Sequence, residues 1–370
     1  MLTSVHSDKK RSVKIRFGFC AAVVLLAGLC AVLTGNGRAA SDPQSDAEIA
    51  PQNLSMFSPI HAQVPATGVA ALRVDLGRKL YYDTHLSENN SLSCNSCHQL
   101  EHYGIDPGKS VSIGHNQKPG GRNSPTVYNS SLEFVQFWDG RAATLAEQAS
   151  GPMMNPVEMG MSGPEAVLAY VRSNAEYVRQ LHAAYPDLKD PVTMDNVTDA
   201  IAVFEAGLLT PARWDKYLQG DTSALTNEEK QGLRVFLNSG CAVCHSGVGM
   251  GGGAYEKLGM AEEWPDKSDT GRGSVTHQSS DNLYFKVPML RNIEKTGPYF
   301  HNGQVQSLDQ AVRLMVKHQL GQKLSEEEVH SIIAFFHALT GDVPKQYIQP
   351  PSAETKAVLL PSHTSAVVGQ

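Results

Sequence analysis

The pentapeptide Cys94-Asn95-Ser96-Cys97-His98 recurs in pattern as Cys241-Ala242-Val243-Cys244-His245. C-x-x-C-H is the attachment signature of a c-type haem. Two thiols a turn apart reach the two vinyl groups of one porphyrin. The adjacent imidazole is then held under the ring to ligate iron. With 6 Cys and 14 His in 370 residues, two such strings by chance are negligible. The pattern predicts two covalently bound haem c groups, on Cys94 and Cys97 and on Cys241 and Cys244. His98 and His245 are the expected proximal iron ligands.

Outward from these strings, the chain reads as mostly α. Val69, Leu72, Leu76 and Leu80 suggest a helix leading to the first motif. Residues 99–131, rich in Gly, Ser, Asn and Pro, read as a long loop. A helix is expected over 164–185, with Val167, Leu168, Val171, Val178 and Leu181 on one side. Another carries Val197, Ile201, Phe204 and Leu208 and stops at Pro211. Thr226-Asn227-Glu228-Glu229, Ser307-Leu308-Asp309-Gln310 and Ser325-Glu326-Glu327-Glu328 are capping boxes opening three more helices. The first of these runs into the second motif, as in small cytochromes c. Residues 246–288 form a Gly-rich insertion, and no extended β pattern occurs.

The spacing of the motifs and the chain length predict two domains, one haem each. We expect an N-terminal domain over 56–212 and a C-terminal domain over 213–345. Residues 41–55 read as a polar linker, and 346–370 as a tail packing back on the first domain. Residues 1–40 read as an export segment: Lys9, Lys10, Arg11, Lys14 and Arg16 precede an uncharged run from Phe17 to Thr34. Gly37-Arg38-Ala39 supplies small residues at a cleavage site. The run is also long enough to span a bilayer, so cleaved signal and retained membrane anchor at 17–34 both stand. Either way the folded part is exported, which predicts a periplasmic protein. Cys20 and Cys30 lie in this run, so no pair remains for a disulfide.

The first 40 residues carry six basic side chains and one Asp against a whole-chain charge of −6, leaving −11 for the rest. That excludes nucleic acid as a partner and favours a basic soluble one.

Function turns on the sixth iron position. A permanent thioether makes an electron-transfer site, whereas an open position permits chemistry on a small oxygen ligand. Near the second motif the Met candidates are Met250, Met260, Met289 and Met315. Met250 is too close in sequence to His245. Met315 sits on a downstream helix and reads equally as a ligand or a core methionine. No Met lies between residues 98 and 152, after the first motif, but His115 lies in a Gly-rich loop. It reads as a solvated histidine or a displaceable ligand. Trp138, Gln148 and Glu158 follow. Over an open haem, a carboxylate could shuttle a proton between peroxide oxygens and an amide could orient the peroxide. Alone, they read as a core aromatic and solvated polar groups.

The order of several segments resembles the bacterial dihaem cytochrome c peroxidases. They include S-C-N-S-C-H (93–98), N-S-P-T-V-Y-N (123–129), F-W-D-G-R (137–141), L-A-E-Q-A (145–149) and N-P-V-E-M-G (155–160). C-A-V-C-H (241–245), F-K-V-P-M-L-R-N (285–292), P-Y-F-H-N-G (298–303) and A-V-R-L-M (311–315) continue the match. The resemblance implies two cytochrome c-like domains with haems facing a shared interdomain interface, the first peroxidatic and the second taking in electrons. It implies Met315 as axial ligand of the second, and His115 as the distal ligand closing the first in the resting state. Gln148 and Glu158 fall on the family's peroxide residues, and Trp138 on its inter-haem tryptophan. An interdomain calcium site is implied from the Asn123 side chain and the carbonyls of Thr296 and Pro298. The implied activity is reduction of hydrogen peroxide to water, with a small cytochrome c or a cupredoxin as donor and a homodimer as common assembly. Two rivals stand beside it: a dihaem electron carrier without chemistry, and a quinone-cofactor-forming oxidase of the methylamine-utilisation type. The latter resembles this chain but has Tyr where Met315 stands.

Overall fold

Leu76 and Leu80 are one turn apart and, with Val74, give the Gly68–Tyr82 helix a buried side. Val69 and Leu72, which share the expected apolar pattern, are exposed at 40% and 42%. The computed structural model describes residues 49, 51–61 and 67–351. The predicted export segment at 1–40, most of the linker and the tail beyond 351 lie outside the described residues. Among the described residues no helix is long and apolar enough to cross a membrane. The fold is mostly helical. Among the described residues the one sheet pairs Tyr255–Lys257 antiparallel with Tyr284–Lys286, inside the Gly-rich insertion.

Two apolar cores are built the same way. In the first, the Gly68–Tyr82 helix crosses the Met194–Ala206 helix, and Leu145–Met154 packs on the latter. Gly77 permits the crossing: a Cβ there would lie 1.8 Å from the Ala200 carbonyl oxygen. Leu76, Leu80, Tyr81, Ile201 and Phe204 fill this core. In the second, the Asn227–Asn238 helix crosses Glu326–His337. Here Gly232 gives the clearance, with a Cβ placed 1.8 Å from the Ser331 carbonyl oxygen. Leu233, Phe236, Ile332 and Phe335 fill it. Each C-x-x-C-H string follows the first helix of such a pair.

The chain ends of these cores cross over. Ile49 and Phe57 belong to the second core, with Phe57 edge-on to Trp214 at 5.3 Å. The Ile60 amide donates to Asp215 Oδ1 at 2.6 Å. Tyr347 and Ile348 instead join the first core, where the Tyr347 hydroxyl donates to the Phe204 carbonyl at 2.7 Å.

Helix ends depart from the sequence pattern in three places. The helix expected over 164–185 is two, Pro164–Ser173 and Ala175–Ala184. Asn174 leaves helical geometry and its side chain accepts from the amides of Glu176 and Tyr177, making it the cap of the second. The helix expected to stop at Pro211 ends at Ala206, with Gly207 as its cap. Ser307 caps Leu308–Leu320 by accepting from the Gln310 amide, without the reciprocal bond found at Thr226 and Ser325.

Candidate active site

Cys94–Cys97 forms one helical turn, so the two thiols fall on one side of it. The Ser93 amide donates to Ser96 Oγ at 3.0 Å and holds the turn's start. The His98 amide closes the turn on the Cys94 carbonyl at 3.0 Å. His98 is then fixed from two directions. Its carbonyl accepts from the buried Tyr81 hydroxyl at 2.8 Å, and its Nδ1 donates to the Pro125 carbonyl at 2.9 Å. Burial lowers the imidazole's pKa, opposed by the carbonyls of Pro125 and Gly104. A neutral ring with Nδ1 engaged leaves Nε2 free to ligate a metal.

The second site repeats this logic. Gly240, at φ +93°, breaks the chain out of the preceding helix into the Cys241–Val243 turn. His245 Nδ1 lies 3.2 Å from the Met250 carbonyl. Burial takes its pKa down to about 4, with the Met250 and Pro288 carbonyls opposing. Met250, excluded as a ligand by its closeness in sequence, is fully buried and orients His245 through its main chain. Of the other candidates, Met260 is 59% exposed, whereas Met289 and Met315 line the cavity at His245.

The two cavities differ. The first, with Cys94, Cys97 and His98 in its wall, has a volume of about 960 Å³. The second, with Cys241, Cys244, His245 and Met315, has about 230 Å³. The residues of both fit covalent haem: paired free thiols and a neutral imidazole with its second nitrogen free.

Trp138, Gln148 and Glu158 are brought together in the wall of the first cavity. Thr144 caps the Leu145–Met154 helix that carries Gln148. Burial raises the Glu158 carboxyl above its ordinary range, opposed by Arg141 and Asn155. Arg141, to which the sequence pattern assigned no role, also lines this cavity, stacked 3.5 Å over the Phe137 ring. Its only sequence signal is its place in F-W-D-G-R. Glu205, also unforeseen, faces the same cavity. Trp138 lines both cavities, and its indole N–H donates to the Asn123 carbonyl at 2.9 Å.

His115 is not among these lining residues. Its Nε2 lies 2.8 Å from Glu88 Oε2 and 2.7 Å from Asn116 Nδ2. Its amide donates to the Glu158 carbonyl at 2.7 Å, so the His115 turn rests on the segment carrying Glu158. Asn123, Thr296 and Pro298 all line the second cavity. Asn123 Nδ2 donates to the carbonyls of Lys109 and Ser110, at 3.3 and 3.2 Å. Among the described residues no group of three His, Cys, Asp or Glu side chains could hold a metal ion.

A mostly α chain with two C-x-x-C-H turns, each opening on its own cavity, has the features of a di-haem c-type protein. Residues 71–223 match the family described as di-haem cytochrome c peroxidase. The chain is 42% identical to cytochrome c551 peroxidase of Pseudomonas aeruginosa, over 82% of this chain and 90% of that one. Methylamine utilization protein MauG of Methylorubrum extorquens stands further off, at 30% identity over 87% and 94%. Among solved structures, a MauG-like protein associated with microbial copper homeostasis superposes with a TM-score of 0.67 at 27% identity, covering 80% of this chain and 96% of that one. The chain belongs to the di-haem cytochrome c peroxidase family, and it is an enzyme of that class.

Proposed function

We propose that the protein reduces hydrogen peroxide to water in the first cavity, with electrons delivered singly through the second by a small cytochrome c or a cupredoxin. The unlike surroundings of the two motif histidines carry this reading. The wide cavity at His98 gathers a carboxyl, an amide and a guanidinium, whereas the narrow cavity at His245 holds a thioether from Met315.

Bound haem supplies the redox chemistry and an iron site for peroxide. Glu158 accepts a proton from one peroxide oxygen on its carboxylate and returns it to the other, which leaves as water when the O–O bond breaks. Gln148 orients the peroxide by hydrogen bonding, and Arg141 keeps Glu158 ionised long enough to accept. The full reaction takes up two electrons and two protons and releases two waters.

In the second cavity Met315, which lines it with His245, would supply a thioether to the haem iron. Met289 directly follows Pro288, whose carbonyl faces His245, and so starts on the histidine's own side. The Tyr that the quinone-forming oxidases carry at this position would favour higher-valent iron, which a soft thioether does not. A pure carrier has no use for a carboxyl, an amide and a guanidinium gathered at one haem cavity. The two cores support one domain per haem, with Trp138 in the wall between. Calcium would be held by the Asn123 side chain and the Thr296 and Pro298 carbonyls. In support, Asn123 Nδ2 is committed to two carbonyls, which leaves its oxygen as a donor suited to a hard cation. The enzyme works in the periplasm, exported by residues 1–40.

Glu158→Gln tests the chemistry. Turnover of peroxide with a reduced cytochrome c should fall about 100-fold or more, with both haem spectra intact. Turnover within about tenfold of the unmodified enzyme overturns the assignment.

A further inference from the structure

Six residues line both cavities: Asn123, Pro125, Thr126, Glu133, Trp138 and Lys286. They form a common wall, and two of them carry charge. Glu133 and Lys286 pair side chain to side chain. Their side chains are only 9% and 6% exposed. Lys286 ends the Tyr284–Lys286 strand, and Glu133 ends the Ser130–Leu132 turn. The Lys286 amide also donates to the Trp138 carbonyl at 2.8 Å. Burial raises the Glu133 carboxyl and lowers the Lys286 ammonium, each opposed by the other.

Burying such a pair gains little stability over apolar side chains of the same volume. Its position has a different consequence. Charges in a low-dielectric wall act strongly on any neighbouring group whose charge changes. Each haem iron gains one electron on reduction, and a nearby cation favours the reduced form while an anion favours the oxidised one. From the two-cavity reading above, we infer that the Glu133–Lys286 ion pair is the electrostatic element of the inter-haem wall and sets the reduction potentials on both sides of it. Their side chains bond to each other rather than to Gln148 or Glu158, so both are positioning residues rather than catalytic ones.

The test uses the full chain with haem attached, at pH 6 to keep Lys286 protonated. Midpoint potentials of both haems are read by spectroelectrochemistry in Lys286→Met, Glu133→Gln and Lys286→Arg. Lys286→Met should lower both potentials and Glu133→Gln should raise both. Each shift should correspond to about a tenfold change in the oxidised-to-reduced ratio at fixed applied potential, which is about 59 mV for one electron. Lys286→Arg, which keeps the cation, should restore the original values. Potentials that stay put, or that move the same way in the two charge-removing variants, overturn the inference. If Lys286→Met does not accumulate, Glu133→Gln carries the test alone: unmoved or lowered potentials in it overturn the inference. A haem count of one per chain would instead overturn the two-haem reading beneath it, and two haems with unmoved potentials would overturn only the ion pair.

Discussion

Glu205 is 5% exposed on the Met194–Ala206 helix, facing the first cavity and acting electrostatically on Cys94. Burial alone pushes its carboxyl up to about 8. The native state therefore keeps a proton that the unfolded chain releases above about 4.5. The stability this provides is intact below that value, falls as pH rises towards 8 and is gone above it. At about 1.4 kcal/mol per pH unit, the loss is on the order of 5 kcal/mol. Glu205→Gln should melt close to the unmodified protein at pH 5 and at a clearly higher temperature at pH 8, followed by circular dichroism. An equal difference at both pH values would rule out Glu205 as the titrating group. At this scale the sequence is uneven in what it shows. Cys94, Cys97 and His98 are legible because covalent attachment dictates their spacing. The carbonyls of Pro125 and Met250, which aim the two histidines, are not legible, because a main-chain acceptor leaves no mark on residue type. Glu205 escapes for a related reason: its burial is created by helices distant in sequence.

At the scale of elements, caps were legible and breaks were not. Thr226 and Ser325 announce their helices through the residue three places on. Asn174 sits within a run of apolar residues whose period continues on both sides, so nothing in the periodicity marks the break. The His115 turn shows what loops add. Gly160, at φ +76°, lies where a Cβ would come within 2.8 Å of the His115 ring, so the imidazole's seat exists only because that position is glycine. Glu88, 2.8 Å from the ring's Nε2, is 58% exposed, so solvent weakens its hold on the imidazole. If His115 closes the first haem when it leaves this seat, a weak partner is what allows return. A half-reduced, calcium-loaded sample should show a high-spin haem in its absorption spectrum. Glu88→Ala should shift that signal towards low spin by removing the seat's partner, and His115→Gly added to it should restore high spin. An unchanged signal in Glu88→Ala would mean that Glu88 does not hold His115.

At the scale of the whole molecule, a helix-pair core for each motif is foreshadowed by chain length and motif spacing, but the shared wall is not. It joins residues 123–138 to Lys286, and only the tertiary fold brings those segments together. The same holds for Arg122, which bonds Asp139 at 2.6 Å and Asp269 at 2.6 and 2.8 Å and so ties the first motif's loop to the Gly-rich insertion. What the sequence does show at this scale is charge. Residues 41–370 carry a net −11, and haem propionates add to it. A field of that sign draws basic partners and repels acidic ones, and its reach shrinks from about 30 Å at 0.01 M salt to about 8 Å at 0.15 M. Most of the benefit is in the rate of encounter rather than in the bound complex. With a basic small cytochrome c as donor, kcat/KM should therefore fall steeply between these two salt concentrations while kcat changes little. With an acidic cytochrome c or an acidic cupredoxin, kcat/KM should be low at 0.01 M and rise with salt. Equal salt dependence for basic and acidic donors would show that donor choice is made by local contacts near the second haem and not by the charge of the molecule.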